Sequence, residues 1–200
     1  MTDAANIGNI RTKKAVIRKE RLAKRRALSA DERERYSRII CDTFCGSEEY
    51  KNAKTILLYK AYNNEVDTDI IFDRAVADGK TVAYPRSGIS EGEPELKFYV
   101  TNDLSKLSEG FKGILEPDIT GDTVLFEGRA DICVTPAVAF DKKCHRIGYG
   151  KAFYDRYIRL SRPGKVIGLC YDIQITDDFE PEDSDMAVDM VITETAVYLR

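Results

Sequence analysis

VTPAVAFDKKCHRIGYGKAFYDR, residues 134–156, is the stretch whose reading decides the fold. The apolar run Ile132-Cys133-Val134 reads as a strand, and Thr135-Pro136 stops it because proline cannot continue a central ladder. A polar loop follows, Asp141 to Arg146. Gly148-Tyr149-Gly150-Lys151 then opens a helix carrying Phe153, Tyr154 and Tyr157. Strand, basic glycine-bearing loop and helix start together form an anion cradle, in which free backbone N–H groups and the positive end of the helix dipole face the loop's contents. Arg146 and Lys151 add cations at its edges. The loop is not a P-loop, since Ala152 stands where Ser or Thr is needed. Nor is it a dinucleotide fingerprint, since Phe153 occupies the place of the third glycine. From the motif alone, phosphate binding and a simple tight turn stand level.

Two hundred residues, 43% apolar and 32% charged, suit one α/β domain spanning residues 1–200, with residues 1–10 as a flexible tail. No apolar run reaches the length of a membrane span, and the N-terminus lacks the apolar segment of a secretory signal. The five cysteines (41, 45, 133, 144 and 170) form no C-x-x-C pair, so reduced thiols in a cytoplasmic setting are expected. The net charge of −3 is unevenly spread: residues 11–26 hold nine Lys/Arg against Glu20, or +8, leaving −11 elsewhere. On a helix, Lys14, Arg18, Arg21 and Arg25 fall in one cationic stripe that asks for an anionic partner. Nucleic acid is the alternative partner, weakened by the absence of interleaved aromatic residues and by the acidic remainder. The bland alternative is a solvated helix face.

Along the chain, Ser29-Ala-Asp-Glu32 is a capping box opening a helix that ends near Gly46. Thr55–Tyr59 reads as a buried strand, and a polar loop (Lys60–Thr68) leads to a helix over Ile70–Ala77. Thr81–Tyr84 reads as a strand closed by Pro85, and Leu96–Val100 as a half-exposed strand. Gly110–Asp118 reads as a loop. Lys165–Tyr171 and Val188–Ile192 complete the strands. Strands separated by helices predict a three-layer fold, a mostly parallel sheet with helices on both faces plus the N-terminal basic helix. Ligands of such sheets bind beyond the carboxyl ends of the strands. The loops after Tyr59 and Val134 both leave such ends, so they can meet.

The segment TPAVAFDKKCHRIGYGKAFYDR resembles the signature of the 5-formyltetrahydrofolate cyclo-ligase (5,10-methenyltetrahydrofolate synthetase) family. The likeness extends to Lys14-x-x-x-Arg18 followed by RRALSADER, to EVDTDII, YPR and GILEP, and to the terminal AVDMVITE. It implies an enzyme that closes the ring of 5-formyltetrahydrofolate to 5,10-methenyltetrahydrofolate, consuming ATP with Mg²⁺ and releasing ADP and phosphate. A cytoplasmic monomer is expected, with 5-formyltetrahydrofolate and ATP as partners, no membrane, and nucleic acid only as the disfavoured alternative.

Carried over by position, the resemblance assigns Lys14, Arg18, Arg146, Ile147, Gly148, Tyr149, Gly150, Lys151, Ala152, Phe153 and Tyr154 to ATP. Lys151 and Arg146 are the expected catalytic cations. Arg18, Tyr62, Glu65, Asp67, Tyr149 and Lys151 are expected at the folate, and Asp155 and Asp189 at Mg²⁺. Asp67 and Glu65 also read as loop solvation or as a cap for the following helix. His145 reads as exposed loop rather than general base. Two departures stand out. If residue 152 needs a left-handed backbone, alanine is strained there, and Cys144 replaces the usual glycine.

Overall fold

The computed structural model describes residues 3–182 and 185–200. Helix α1 (Asp3–Ala27) is followed by α2 (Ala30–Gly46), α3 (Glu48–Asn52), β1 (Thr55–Leu57), α4 (Asp69–Ala77), β2 (Thr81–Ser90) and β3 (Glu93–Val100). Next come β4 (Leu107–Glu109), β5 (Leu115–Pro117), β6 (Ile132–Thr135), β7 (Ala139–Phe140), β8 (Arg146–Ile147), α5 (Phe153–Ser161), β9 (Lys165–Leu169), β10 (Met190–Ile192) and β11 (Val197–Leu199).

The main sheet has seven strands in the order β11-β10-β9-β6-β1-β2-β3. β1, β2, β6, β9 and β10 run parallel, while β3 and β11 close the two edges antiparallel. From β1 the chain winds outward through β2 and β3, then returns to the other side of β1 and winds outward again from β6. The order therefore reverses between β1 and β6, the crevice where open α/β sheets take their ligands.

Alternate residues of the central strands go to opposite faces, as a period of two requires. Ile56, Leu58, Ile132, Val134, Ile167 and Leu169 pack with α2 and α4 through Ile40, Phe44, Ile71 and Phe72. Leu57, Ala83 and Cys133 meet Phe153, Tyr154 and Tyr157 of α5, while Val166, Val191 and Ile158 share a third cluster. Helices thus cover both faces, as the sequence predicts. The Ser29–Glu32 capping box also forms: Glu32 N–H donates to Ser29 Oγ at 3.2 Å, and Ser29 N–H donates to Glu32 Oε2 at 2.8 Å.

Four expectations need correction. α1 begins at Asp3, so residues 3–10 are helical where a flexible tail is expected. β2 does not stop at Pro85 but continues to Ser90, with Pro85 opposite Phe98 of β3. That is permissible because β1 is paired with β2 only as far as Ala83, and past it β2 has β3 on one side alone. The GILEP region is not loop: β5 pairs antiparallel with β4. Finally, β11 follows β10 as an antiparallel edge strand that the sequence reading does not resolve.

α1 lies across the carboxyl ends of the parallel strands, and its cationic stripe faces inward. Lys14 Nζ sits 3.2 Å from Glu182 Oε1 and 2.5 Å from Asp185 Oδ2. Arg18 Nε donates to Gly148 O at 2.7 Å, Arg21 Nη1 to Ile173 O at 2.9 Å, and Arg25 Nε to Asn63 O at 3.0 Å. These acceptors lie in the loops beyond β1, β6 and β9, or in the acidic segment ahead of β10. The stripe is neither a solvated face nor a surface presented outward to nucleic acid.

Candidate active site

The loop after β6 is built on a short ribbon. β7 pairs with β8, and Asp141 holds the turn between them: its Oδ1 accepts from Lys143 N–H at 2.9 Å and His145 N–H at 2.7 Å. His145 Nδ1 lies 2.7 Å from Asp141 Oδ2, so the single histidine is tied into the turn tip, away from the cavity. Cys144 adopts the left-handed backbone (φ 66°), a conformation that glycine takes without strain. The ribbon rests on β9, where Phe140 lies against Gly168: a Cβ at Gly168 would come within 2.6 Å of the ring.

From Ile147 the chain turns through Gly148, Tyr149, Gly150 (φ 85°) and Lys151 to Ala152, whose φ of 54° and ψ of 17° are left-handed. α5 starts one residue later, its N-terminal amides directed at this loop. Alanine at 152 therefore carries the strain expected of a non-glycine residue there, about 1–2 kcal/mol. A Cβ at Gly148 would lie 2.9 Å from Arg146 Nη1, so the Arg146 guanidinium would have to shift to admit one.

Loop, α1 and the region after β1 enclose a cavity of about 620 Å³. Arg11, Lys14, Arg18, Arg146 and Lys151 line it with positive charge; Tyr59, Pro85, Leu96, Phe111 and Phe153 line it with carbon. The cations differ in what they already hold. Lys14 is paired with Glu182 and Asp185. Arg146, only 5% exposed, sets Nη2 2.9 Å from Asp155 Oδ1, yet its buried Nε has no partner among the described residues. Lys151 is exposed at the cavity wall with no ion-pair partner among the described residues.

Opposite the phosphate-type loop, Glu65 is 7% exposed. Its Oε2 accepts from Tyr62 N–H at 3.0 Å and its Oε1 from the Tyr149 hydroxyl at 2.9 Å. Burial pushes its carboxyl up to about 7, opposed chiefly by Arg25 and then by the Tyr62 and Tyr149 hydrogen bonds. Burial and the neighbouring Glu65 carboxylate raise the Tyr149 phenol above its ordinary value. Tyr62 lines the same wall.

Two expected residues are not in this cavity. Asp67 is exposed, and its Oδ1 accepts from Asp69 N–H at 3.0 Å at the start of α4. Glu65 and Val66 are buried whereas Asp67 is exposed, its carboxylate turned to the helix start instead. Asp189 is at the opposite, amino end of β9 and β10, where its Oδ2 accepts from Val166 N–H at 2.7 Å and Oδ1 lies 3.7 Å from Lys165 Nζ. It is not brought to Asp155. Of the two expected metal carboxylates only Asp155 lines the cavity, beside the cationic loop; Mg²⁺, which commonly takes one or two carboxylates, substrate phosphate oxygens and water, would be held there. Among the described residues no group of three or more His, Cys, Asp or Glu is gathered.

Two residues at the site have no assigned role in the sequence reading. Arg25, 1% exposed, is read from the sequence only as part of the cationic stripe; it does not line the cavity but donates to the Tyr149 hydroxyl of its wall. Glu116, 3% exposed, accepts from Ser87 N–H at 3.0 Å and lines the apolar wall. The GILEP match contained it, but nothing in its spacing marks a ligand.

Comparison with known proteins bears on this geometry. A mouse 5-formyltetrahydrofolate cyclo-ligase is 27% identical over 194 residues, covering 92% of this chain and 95% of its own. The Escherichia coli K12 cyclo-ligase is 30% identical over 149 residues, covering 73% and 81%. Among solved structures, the 5,10-methenyltetrahydrofolate synthetase of Aquifex aeolicus superposes with a TM-score of 0.78 at 30% identity, covering 93% of this chain and 92% of the other. That of Mycoplasma pneumoniae gives 0.71 at 28%, covering 90% and 98%. Residues 10–194 match the 5-formyltetrahydrofolate cyclo-ligase family, and that stretch contains β1, β6 and every cavity residue named above, so the chain belongs to this family.

Proposed function

We propose that the protein is an ATP-dependent ligase of one-carbon metabolism, a cytoplasmic monomer that converts 5-formyltetrahydrofolate to 5,10-methenyltetrahydrofolate with release of ADP and phosphate. The observation that carries this reading is the cavity itself: a cation-rim loop at a helix start faces a buried carboxylate and an apolar wall across one enclosed space. One side suits a triphosphate, the other a flat heterocycle with adjacent N–H donors.

The N5-formyl group is an amide, and its oxygen is a poor leaving group. Transfer of the γ-phosphoryl to that oxygen breaks the bond to ADP and forms an iminium-like phosphate ester. N10 then attacks the formyl carbon, the carbon–oxygen bond breaks, and phosphate leaves with the former formyl oxygen. N10 loses its proton in the process. Lys151, the amides at the start of α5, and Arg18 are arranged to neutralise charge on the transferred group. The unpartnered Nε of Arg146 is a further donor for an oxyanion. Asp155 would hold Mg²⁺, which when bound supplies charge neutralisation across the phosphate oxygens. Glu65 has lone pairs left after Tyr62 and Tyr149 to accept from the pterin ring N–H and amino group. Closing the cavity around both substrates supplies orientation.

The test is the absorbance of the methenyl product formed from 5-formyltetrahydrofolate with and without ATP. Product that requires ATP supports the reading; no product with both substrates present overturns it.

A further inference from the structure

Arg25 lies eleven residues along α1 from Lys14, yet it does not approach the cation-rim loop as a phosphate ligand. Its guanidinium is buried and holds three separate segments. Nε donates to Asn63 O at 3.0 Å in the loop after β1, and Nη1 to Ala137 O at 3.2 Å after β6. Nη2 donates to the Tyr149 hydroxyl at 2.5 Å, and Nη1 stands 3.9 Å from Glu65 Oε1.

The direction of these bonds is forced. Arginine can only donate and does not lose its proton in proteins. The Tyr149 oxygen therefore accepts from Arg25, and its one proton goes to Glu65 Oε1. Glu65 Oε2 is already committed as acceptor to Tyr62 N–H. Both carboxyl oxygens are thus arranged as acceptors, the pattern of an anion rather than an acid.

We propose that Arg25 is a positioning residue for this carboxylate: through direct charge and through the Tyr149 hydroxyl it keeps Glu65 anionic and fixed in orientation, ready to accept from donors on the bound folate. The proposal rests on the ligase reading above. Burial acts the other way and is the largest influence on Glu65, with Arg25 the largest opposing one. The other groups facing Glu65 are phenols: Tyr149 from the loop, Tyr59 just past β1, and Tyr154 from α5, all held neutral by burial. Arg25 is the one formal cation among them.

The experiment compares the wild type with Arg25→Met and Arg25→Lys. In the wild type, kcat/KM for 5-formyltetrahydrofolate is expected to fall on the acid side as Glu65 protonates, near pH 7. In Arg25→Met that limb moves to higher pH by about one unit or more, and activity is partly regained in alkali. In Arg25→Lys the charge remains and the limb moves by less than about half a unit, although the maximum drops. KM for ATP changes less than KM for folate in both. A uniform loss at every pH, with the limb unmoved in both variants, overturns the proposal and leaves Arg25 a structural tie. Should Arg25→Met not fold, Tyr149→Phe severs the hydroxyl relay alone, and an unmoved limb there together with a displaced one in Arg25→Lys overturns it equally. The titration of the Glu65 carboxyl carbon, followed by NMR without substrate, reads the same shift. It decides the role of Arg25 even if the wild type turns over no folate, an outcome that would sink the ligase reading separately.

Discussion

Arg146 and Asp155 hold each other: Nη2 and Oδ1 are 2.9 Å apart, with both side chains largely withdrawn from water. One lies where the loop enters the cavity, the other in the first turn of α5, so the pair ties the two ends of the glycine turn together. Asp155→Asn leaves the Arg146 charge buried without its partner and should lower stability by roughly 2–4 kcal/mol, measured by denaturant unfolding. If Asp155 also holds Mg²⁺, complete chelation of divalent cations stops turnover in the wild type. Turnover that survives chelation would remove Asp155 from metal binding while leaving the ion pair intact.

Ala152 is strained at φ 54°. Replacing it with glycine removes the clash of Cβ with the carbonyl but loosens the unfolded chain. The net expectation for Ala152→Gly is a gain of about 0.5–1 kcal/mol in unfolding free energy. A loss of stability would show that the loop depends on the alanine methyl for packing.

Arg18 and Arg11 both line the cavity, but only Arg18 is anchored to the loop, through Gly148 O at 2.7 Å. Arg11 is largely exposed and reaches Glu182 at 3.5 Å. Arg18→Ala should weaken nucleotide binding by about 1.5–3 kcal/mol and Arg11→Ala by less than about 1 kcal/mol, read by calorimetric titration. Equal effects would mean that the anchoring does not matter.

Glu65 carries a pH dependence of its own. Its carboxyl rises from 4.5 to about 7 on folding, so the folded state favours the protonated form. The resulting stability is complete below pH 4.5 and is lost as pH rises through 7. Glu65→Gln does not titrate, so its stability relative to the wild type should climb across that window, by about 1–3 kcal/mol in all. A difference that stays flat from pH 4 to pH 8 would show that Glu65 is not perturbed.

Asp67 gives the contrasting case. Because it accepts from Asp69 N–H, the first amide of α4, and does not line the cavity, Asp67→Ala should cost about 1 kcal/mol of stability with folate KM unchanged. A raised folate KM with stability intact would return Asp67 to the binding residues.

The parallel core was legible because its strands are continuous apolar runs bounded by proline, glycine and capping residues, as at Thr135-Pro136 and Ser29. The phosphate-type loop was legible because two glycines and two cations crowd the six residues from Arg146 to Lys151, just ahead of a helix. What escaped depends on pairing across long sequence distances. β2 extends through Pro85 only because β3 supplies a partner on the other side. Asp67 and Glu65 share a loop and a charge, and only their partners separate their roles: Tyr62 and Tyr149 for Glu65, the first amide of α4 for Asp67. Arg25 sits on the same stripe as Arg18, yet its acceptors lie 38, 112 and 124 residues away. Asp189 carries the family pattern, but it immediately precedes β10, which runs parallel to β9, and so lies at the amino ends of the strands, away from the cavity.

The way α1 is attached has a consequence for motion. Of its side chains described as buried, Lys14, Ile17 and Arg25, only Ile17 is apolar, so the helix is held down chiefly by hydrogen bonds and ion pairs rather than by carbon. Elements fixed that way open at lower free energy than a sheet buried on both faces. Amide hydrogens of α1 should therefore exchange with solvent well before those of β1, β6 and β9, and the helix can lift as a unit while the sheet stays folded. One wall of the cavity is then also its door: large ligands can enter and leave without disturbing the core that positions the rest of the site.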